Sequence, residues 1–309
     1  MKEKERAIYG GQAIVEGVMF GGKKHTVSAI RRNDHSIQYF EEPIQTNPTM
    51  QKLKKVPFVR GVVAIIQASI NGSKHLNFST ERYGIDPNDD EQVALERENQ
   101  KSTIATYIGI SVLAVLSFLV GKVIFTLVPV LLAATLRPFF ETDVQQVIVE
   151  SIIKLLFLLI YIYLVSLTPF IKRVFQYHGA EHKVINAFEN NAPLTVEGVR
   201  SQSRLHYRCG SSFILFTVIV GMFIYFLVPT SPLWLRIVDR LLLIPVVLGI
   251  SFEVLQLTNK VRHIPVLKWV GYPGLWLQLL TTKEPSDDQI EVSIASFNRL
   301  LEIEKNTKI

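Results

Sequence analysis

The chain has 309 residues, with 33 Lys and Arg against 27 Asp and Glu and a formal charge of +6. Its mean hydropathy of +0.26 is high, and its apolar residues gather in blocks near the ~20 residues that cross a bilayer as a helix, which excludes an ordinary soluble domain. The basic balance does not call for nucleic acid, because lysines and arginines alternate with acids and cluster beside apolar blocks; the single cysteine, Cys209, excludes an intramolecular disulfide.

The first residues, Met1 to Arg6, are mixed in charge and lead into no apolar core, so no cleaved targeting sequence is expected. Gly10-Gly11-Gln12 and Glu16-Gly17 suggest tight backbone turns, with Glu16 either a site carboxylate or a surface group. Gly17 to Lys23 imitates a phosphate loop, but Lys24 stands where Ser or Thr is needed and an alternating, strand-like run follows where a helix should open. That run, Thr26 to Ile30, and Ser36 to Phe40 flank Asn33-Asp34 turn chemistry, so a small β-rich unit is expected. Pro57 to Ile70 reads as an apolar helix too short to span, suited to a membrane interface ahead of a re-entrant segment or a soluble core, and Tyr83 to Lys101 as an acidic linker or solvated helix. The N-terminal unit thus covers residues 1–82 and the linker 83–103.

Four membrane spans are expected within residues 104–258: Ile104 to Leu136, interrupted by Lys122 and Pro129; Val147 to Ile171; Phe213 to Val228; and Leu235 to Leu257. The connections at 137–146 and 229–240 carry few cations, whereas Lys101, Lys172, Arg173, Arg200, Arg204, Arg208, Lys260 and Arg262 fall on the other side. The loop at 172–212 and both termini are therefore placed in the cytoplasm. Beyond the last span, in residues 259–309, Pro273 to Leu280 with Trp269 and Trp276 suits an interfacial anchor. Ser286 or Asp287 caps a last helix whose Ile290, Ile294, Phe297 and Leu301 form one stripe, expected to dock on the N-terminal unit. The fold class is a mainly α-helical integral membrane protein of about four spans with a β-rich N-terminal unit.

The strongest chemical signal is His178-Gly179-Ala180-Glu181-His182, in which positions i and i+4 of a helix share one face. It spells H-x-x-E-H, the inverted zinc-hydrolase signature. His178 and His182 supply two metal ligands, and a catalytic zinc site needs a third and a position for water. His206, Cys209 and Glu253 are the candidates. His206 and Cys209 together would make a closed, structural His3Cys set; one of them, or Glu253 alone, leaves room for a water that Glu181 deprotonates as general base. The alternative to ligation is a polar helix start whose imidazoles are simply hydrogen-bonded.

The strings at Gly10 to Met19, Tyr177 to Glu189 (YHGAEHKVINAFE), His206 to Phe213 (HYRCGSSF) and Pro273 to Ile294, taken in order, resemble the YqhQ family of bacterial membrane proteins across nearly the whole chain. The resemblance implies a predicted metal-dependent enzyme of unknown function, with no substrate to carry over. Two functions are expected from these readings. The first is a membrane-embedded, metal-dependent hydrolase, with zinc the expected metal, whose cytoplasmic-face site acts on a membrane-protein or lipid-linked substrate. The second is a non-catalytic scaffold or assembly factor with a structural His/Cys metal site. The lipid bilayer is the expected partner, and the sequence does not specify an oligomeric state.

Overall fold

The computed structural model describes residues 9–44, 48–90, 120–121 and 123–306. The first half of the expected first span, Lys122 and most of the acidic linker lie outside these residues. The chain opens with four antiparallel strands in sequential order: β1 (Gly10–Ile14), β2 (Gly17–Gly21), β3 (His25–Arg31) and β4 (Ile37–Pro43). The last two follow the alternation read from the sequence. The first two replace the isolated turns expected there, because Val15 and Glu16 form a two-residue hairpin that pairs Ile14 with Gly17, Glu16 taking a positive φ of 54°.

Helix α1 (Pro48–Leu53) leads into α2 (Val59–Arg82), which is longer than the expected 57–70 segment. One face of α2 lies on the sheet: Phe78 packs with Ile14, Met19 and Ile30, and the fully buried His75 holds Ser28 and Thr26 through its two ring nitrogens. After α3 (Val123–Thr135) come α4 (Asp143–Ser166), α5 (Pro169–Glu189), the short α6 (Val196–Arg200) and α7 (Gly210–Tyr225). A capping box at Thr142 and Gln145 starts α4; Pro169, tolerated in a first turn, separates it from α5. The expected fourth span is broken into α8 (Leu233–Leu242) and α9 (Ile244–Lys260), bent by 49°. Pro245 lies in the first turn after the break, where it cannot donate a backbone bond. Last come α10 (Tyr272–Thr281) and α11 (Asp287–Asn306).

The stripe on α11 docks as expected, Ile290, Ile294 and Phe297 closing a core with Val18, Phe20, Val27, Tyr177 and Val184. Ser296 donates to the carbonyls of Val18 and Val27 across that contact. The sheet, α5 and α11 therefore form one packed body, so the first and last described elements sit with the histidine helix.

The protein is mostly helical with one small N-terminal sheet, but four spans are not what the described helices provide. Among the described residues one helix, Asp143–Ser166, is long and apolar enough to cross a membrane, or two if the bent α8–α9 pair counts as one crossing; α3 and α7 are shorter. The two arginines expected on a connection, Arg236 and Arg240, are instead fully buried on α8. Both grip Glu150 of α4, at 2.7 and 2.9 Å, and Arg236 also donates to Gln146 Oε1 at 2.9 Å. Arg240 lies 4.1 Å over the Tyr225 ring, so one carboxylate and one aromatic face compensate two buried guanidiniums.

Removing the shared carboxylate leaves both cations buried, so Glu150→Gln should lower stability by about 3–5 kcal/mol in denaturant unfolding. A loss near zero would show the triad to be solvated. Burial, the main cause, depresses the His75 pKa to about 4, against about 6.5 in the unfolded chain. The unfolded state then binds more protons between those values, so the His75 contribution to stability is present above pH 6.5 and is lost as pH falls toward 4. His75→Gln should flatten that part of the stability profile; unchanged curvature would show that His75 does not carry it.

Candidate metal centre

Helix α5 carries His178, Glu181 and His182 on one face, and two further segments are tied against it. Lys183, buried on the same helix, donates to the carbonyls of Arg200 and Gln202, both at 2.8 Å. Asn186 donates to those of Ser203 and Leu205. These bonds lay residues 200–205 along α5 and deliver Cys209 as the N-cap of α7. On the other side, the Lys283 amide donates to the Phe175 carbonyl at 2.9 Å. Gly179 makes that crossing possible, since a Cβ there would meet the Lys283 carbonyl oxygen at 2.1 Å. The glycine of H-G-A-E-H is thus a packing requirement.

Both imidazoles are oriented by backbone. His178 Nδ1–H donates to the Thr281 carbonyl at 2.9 Å, and His182 Nδ1–H donates to the Arg204 carbonyl at 2.7 Å. With Nδ1 of each ring held by a carbonyl, the Nε2 atoms are left facing inward, the orientation that metal-binding histidines use. His178 Nε2 lies 3.3 Å from Cys209 Sγ, and the ligand atoms of His178, His182 and Cys209 all fall within 4.8 Å of one another. Ligands sharing a tetrahedral zinc ion at 2.0–2.3 Å sit roughly 3.4–3.6 Å apart, so this set needs little adjustment. Glu181 Oε2 lies 3.6 Å from His182 Nε2 and 4.0 Å from His178 Nε2.

The electrostatics favour a thiolate held between charged imidazoles, whose protons an incoming metal ion would have to displace. Burial opposes charge on the Cys209 thiol, but the two imidazoles beside it pull its pKa well below the ordinary value. Its position at the start of α7 adds the helix dipole. Burial likewise opposes a charged His178, yet Cys209 and Glu181 hold its pKa up at about 9, and the same neighbours raise that of His182. The thiolate is the metal-binding form of cysteine.

Two of the expected ligands are directed elsewhere. Glu253, on α9, accepts from Arg60 Nε at 2.7 Å and from the Phe58 amide at 3.1 Å, so its carboxylate is committed to α2. It therefore lies outside the cluster of His178, His182 and Cys209. His206 is close, its ring centroid 5.8 Å from that of His182, but its Nε2 faces Glu189 Oε2 at 3.6 Å. Arg208 and Arg262 share the same carboxylate. Its backbone is clamped by Gln278, which accepts from the His206 amide and donates to its carbonyl, both at 2.8 Å. The grouped ligands are therefore two histidines and the cysteine, with His206 in the surrounding shell.

Sequence reasoning passed over Lys183, Asn186, Glu189, Gln278 and Gly11. A Cβ on Gly11 would lie 2.7 Å from Glu181 Cγ, so strand β1 can approach the carboxylate only as glycine. The unbroken YHGAEHKVINAFE string was the available signal for the first three. Nothing in a single sequence pointed Gln278 at His206. Beside the cluster opens a cavity of about 1040 Å³, lined on one side by β1 and α2 and on the other by His178, Glu181 and Cys209, with mostly apolar walls from α4, α7 and α9.

A family model described as a protein of unknown function (DUF1385) matches residues 56–303, and the chain belongs to that family. It is 66% identical over 304 residues to the uncharacterized protein YqhQ of Bacillus subtilis (strain 168), covering 98% of this chain and 95% of that protein. No solved structure matches.

Single substitutions should separate the ligands. For a zinc site here, elemental analysis of the purified protein should find about one ion per chain, and His178→Ala, His182→Ala and Cys209→Ser should each lose most of it. Glu253→Gln should retain it. Retention in the Cys209→Ser protein would overturn the three-ligand set.

Proposed function

We propose that this chain is a membrane-embedded, zinc-dependent hydrolase whose site lies at the cytoplasmic face. The observation that carries this reading is the inward-facing trio of His178 Nε2, His182 Nε2 and Cys209 Sγ with Glu181 beside it. Three ligands rather than four leave a position for water. The proposed membrane setting is supported by α4, which exposes Val144, Ile148, Ile152, Leu156, Ile160 and Leu164. The packing of the N-terminal sheet and α11 on α5 supports a common side for the site and these two elements.

A zinc ion held by the trio would lower the pKa of water and polarise a carbonyl. The protein's own residues do the rest. Thr281 and Arg204 carbonyls fix the imidazole tautomers, and Glu181, within 4.0 Å of both Nε2 atoms, takes a proton from water as its oxygen adds to the substrate carbonyl carbon. As the carbon–nitrogen or carbon–oxygen bond breaks, Glu181 returns that proton to the leaving group. The apolar cavity suits a substrate that is itself membrane-associated.

Glu181→Gln should leave bound zinc and protein level unchanged while abolishing complementation in cells lacking the protein. Equal loss of zinc and of protein level would favour the non-catalytic scaffold with a structural metal site.

A further inference from the structure

Strand β1 is an edge strand among the described residues, since the sheet runs in the order β1-β2-β3-β4. Its hairpin fixes which backbone groups are used. In a two-residue hairpin the closing pair, Ile14 with Gly17, is hydrogen-bonded, and bonded pairs alternate along the ladder. Gln12 and Gly10 therefore bond to Met19 and Gly21, while the amide and carbonyl of Gly11 face the free edge. Gly10, Gly11 and Gln12 are exposed although they sit between two helices. Gln12 packs against Gly72 of α2, and Gly11 lies against Glu181 of α5.

The edge looks into the same cavity as His178, Glu181 and Cys209. We infer that this edge is a docking strand and that the substrate of the site is a peptide bound in extended form, as an added strand on β1. The inference rests on the hydrolase reading for its chemistry, though not for binding. Glu181 Oε1 lies 2.9 Å from the Cβ position of Gly11, and an added strand runs about 4.8 Å beyond β1. A peptide carbonyl on that strand therefore passes within reach of the base. Alternate side chains would enter the apolar part of the cavity, so an apolar segment released from or emerging at a membrane fits best. A lipid tail has no use for the donor and acceptor of Gly11 and would leave both unpaired against an apolar chain. Gly10, whose Cβ position has nothing within 4 Å, leaves the strand's entrance open.

The test uses the full-length, zinc-loaded Glu181→Gln protein in detergent, which cannot turn over its ligand. The probe is a fluorescent peptide of alternating valine and threonine ending in a zinc-chelating hydroxamate, with its amides N-methylated one at a time. Strand pairing requires binding to weaken by about tenfold at every second amide and to change little between them. The matched carboxamide peptide, which cannot chelate zinc, should keep the alternation at lower affinity. Alternation in both peptides together with full complementation by Glu181→Gln in cells would keep the docking edge and remove hydrolysis. A flat methylation series, no binding of either peptide, or equal binding of an alkyl hydroxamate without amides would overturn the docking edge, whatever became of hydrolysis.

Discussion

Two backbone carbonyls, those of Thr281 and Arg204, hold the imidazoles of His178 and His182, and the arrangement around the site depends on them. Each bond joins α5 to a segment remote in sequence, one at the last residue of α10 and the other before α7. An imidazole free to rotate or change tautomer would present Nδ1–H as readily as the Nε2 lone pair. By accepting from Nδ1–H, the two carbonyls turn both Nε2 atoms toward Cys209 within the fold itself. The ordering is built into folding rather than left to binding.

Around that pair the protein spends polar side chains on backbone. Lys183, Asn186 and Gln278 bond mostly to main-chain groups of the 200–206 segment, so side chains satisfy backbone groups of a loop without regular structure. Gly179 and Gly11 contribute by lacking a side chain, one admitting the Lys283 backbone and the other admitting Glu181. The site lies where the packed body of sheet, α5 and α11 meets the apolar helices. Its polar half and its apolar cavity come from different parts of the fold.

At the far end of α4 and α7 a second polar cluster, Glu150 with Arg236 and Arg240, ties α4 to the broken α8–α9 segment. It shares no residue with the metal centre. Its role in the fold is to hold a helix that turns sharply at Leu243, where an uninterrupted span would have needed no such clamp.

Much was legible in the sequence because it is local. The β3 and β4 alternation, the α11 stripe and its docking, the apolar α4 and the shared face of His178 and His182 all follow from periodicities of two and 3.6 residues. Strands β1 and β2 were not, since their glycines weaken any strand signal and their pairing is set by the Val15-Glu16 hairpin. The bend at Leu243 and the burial of Arg236 and Arg240 escaped for a related reason: composition alone does not say that a charge has a partner on another helix. The residue types suited to metal chemistry could be read along the chain: two histidines one turn apart, a carboxylate between them and one cysteine. Their juxtaposition came from the fold, which brings Cys209 to the histidines, turns His206 toward Glu189 and pairs Glu253 with Arg60, because these contacts join segments tens to hundreds of residues apart.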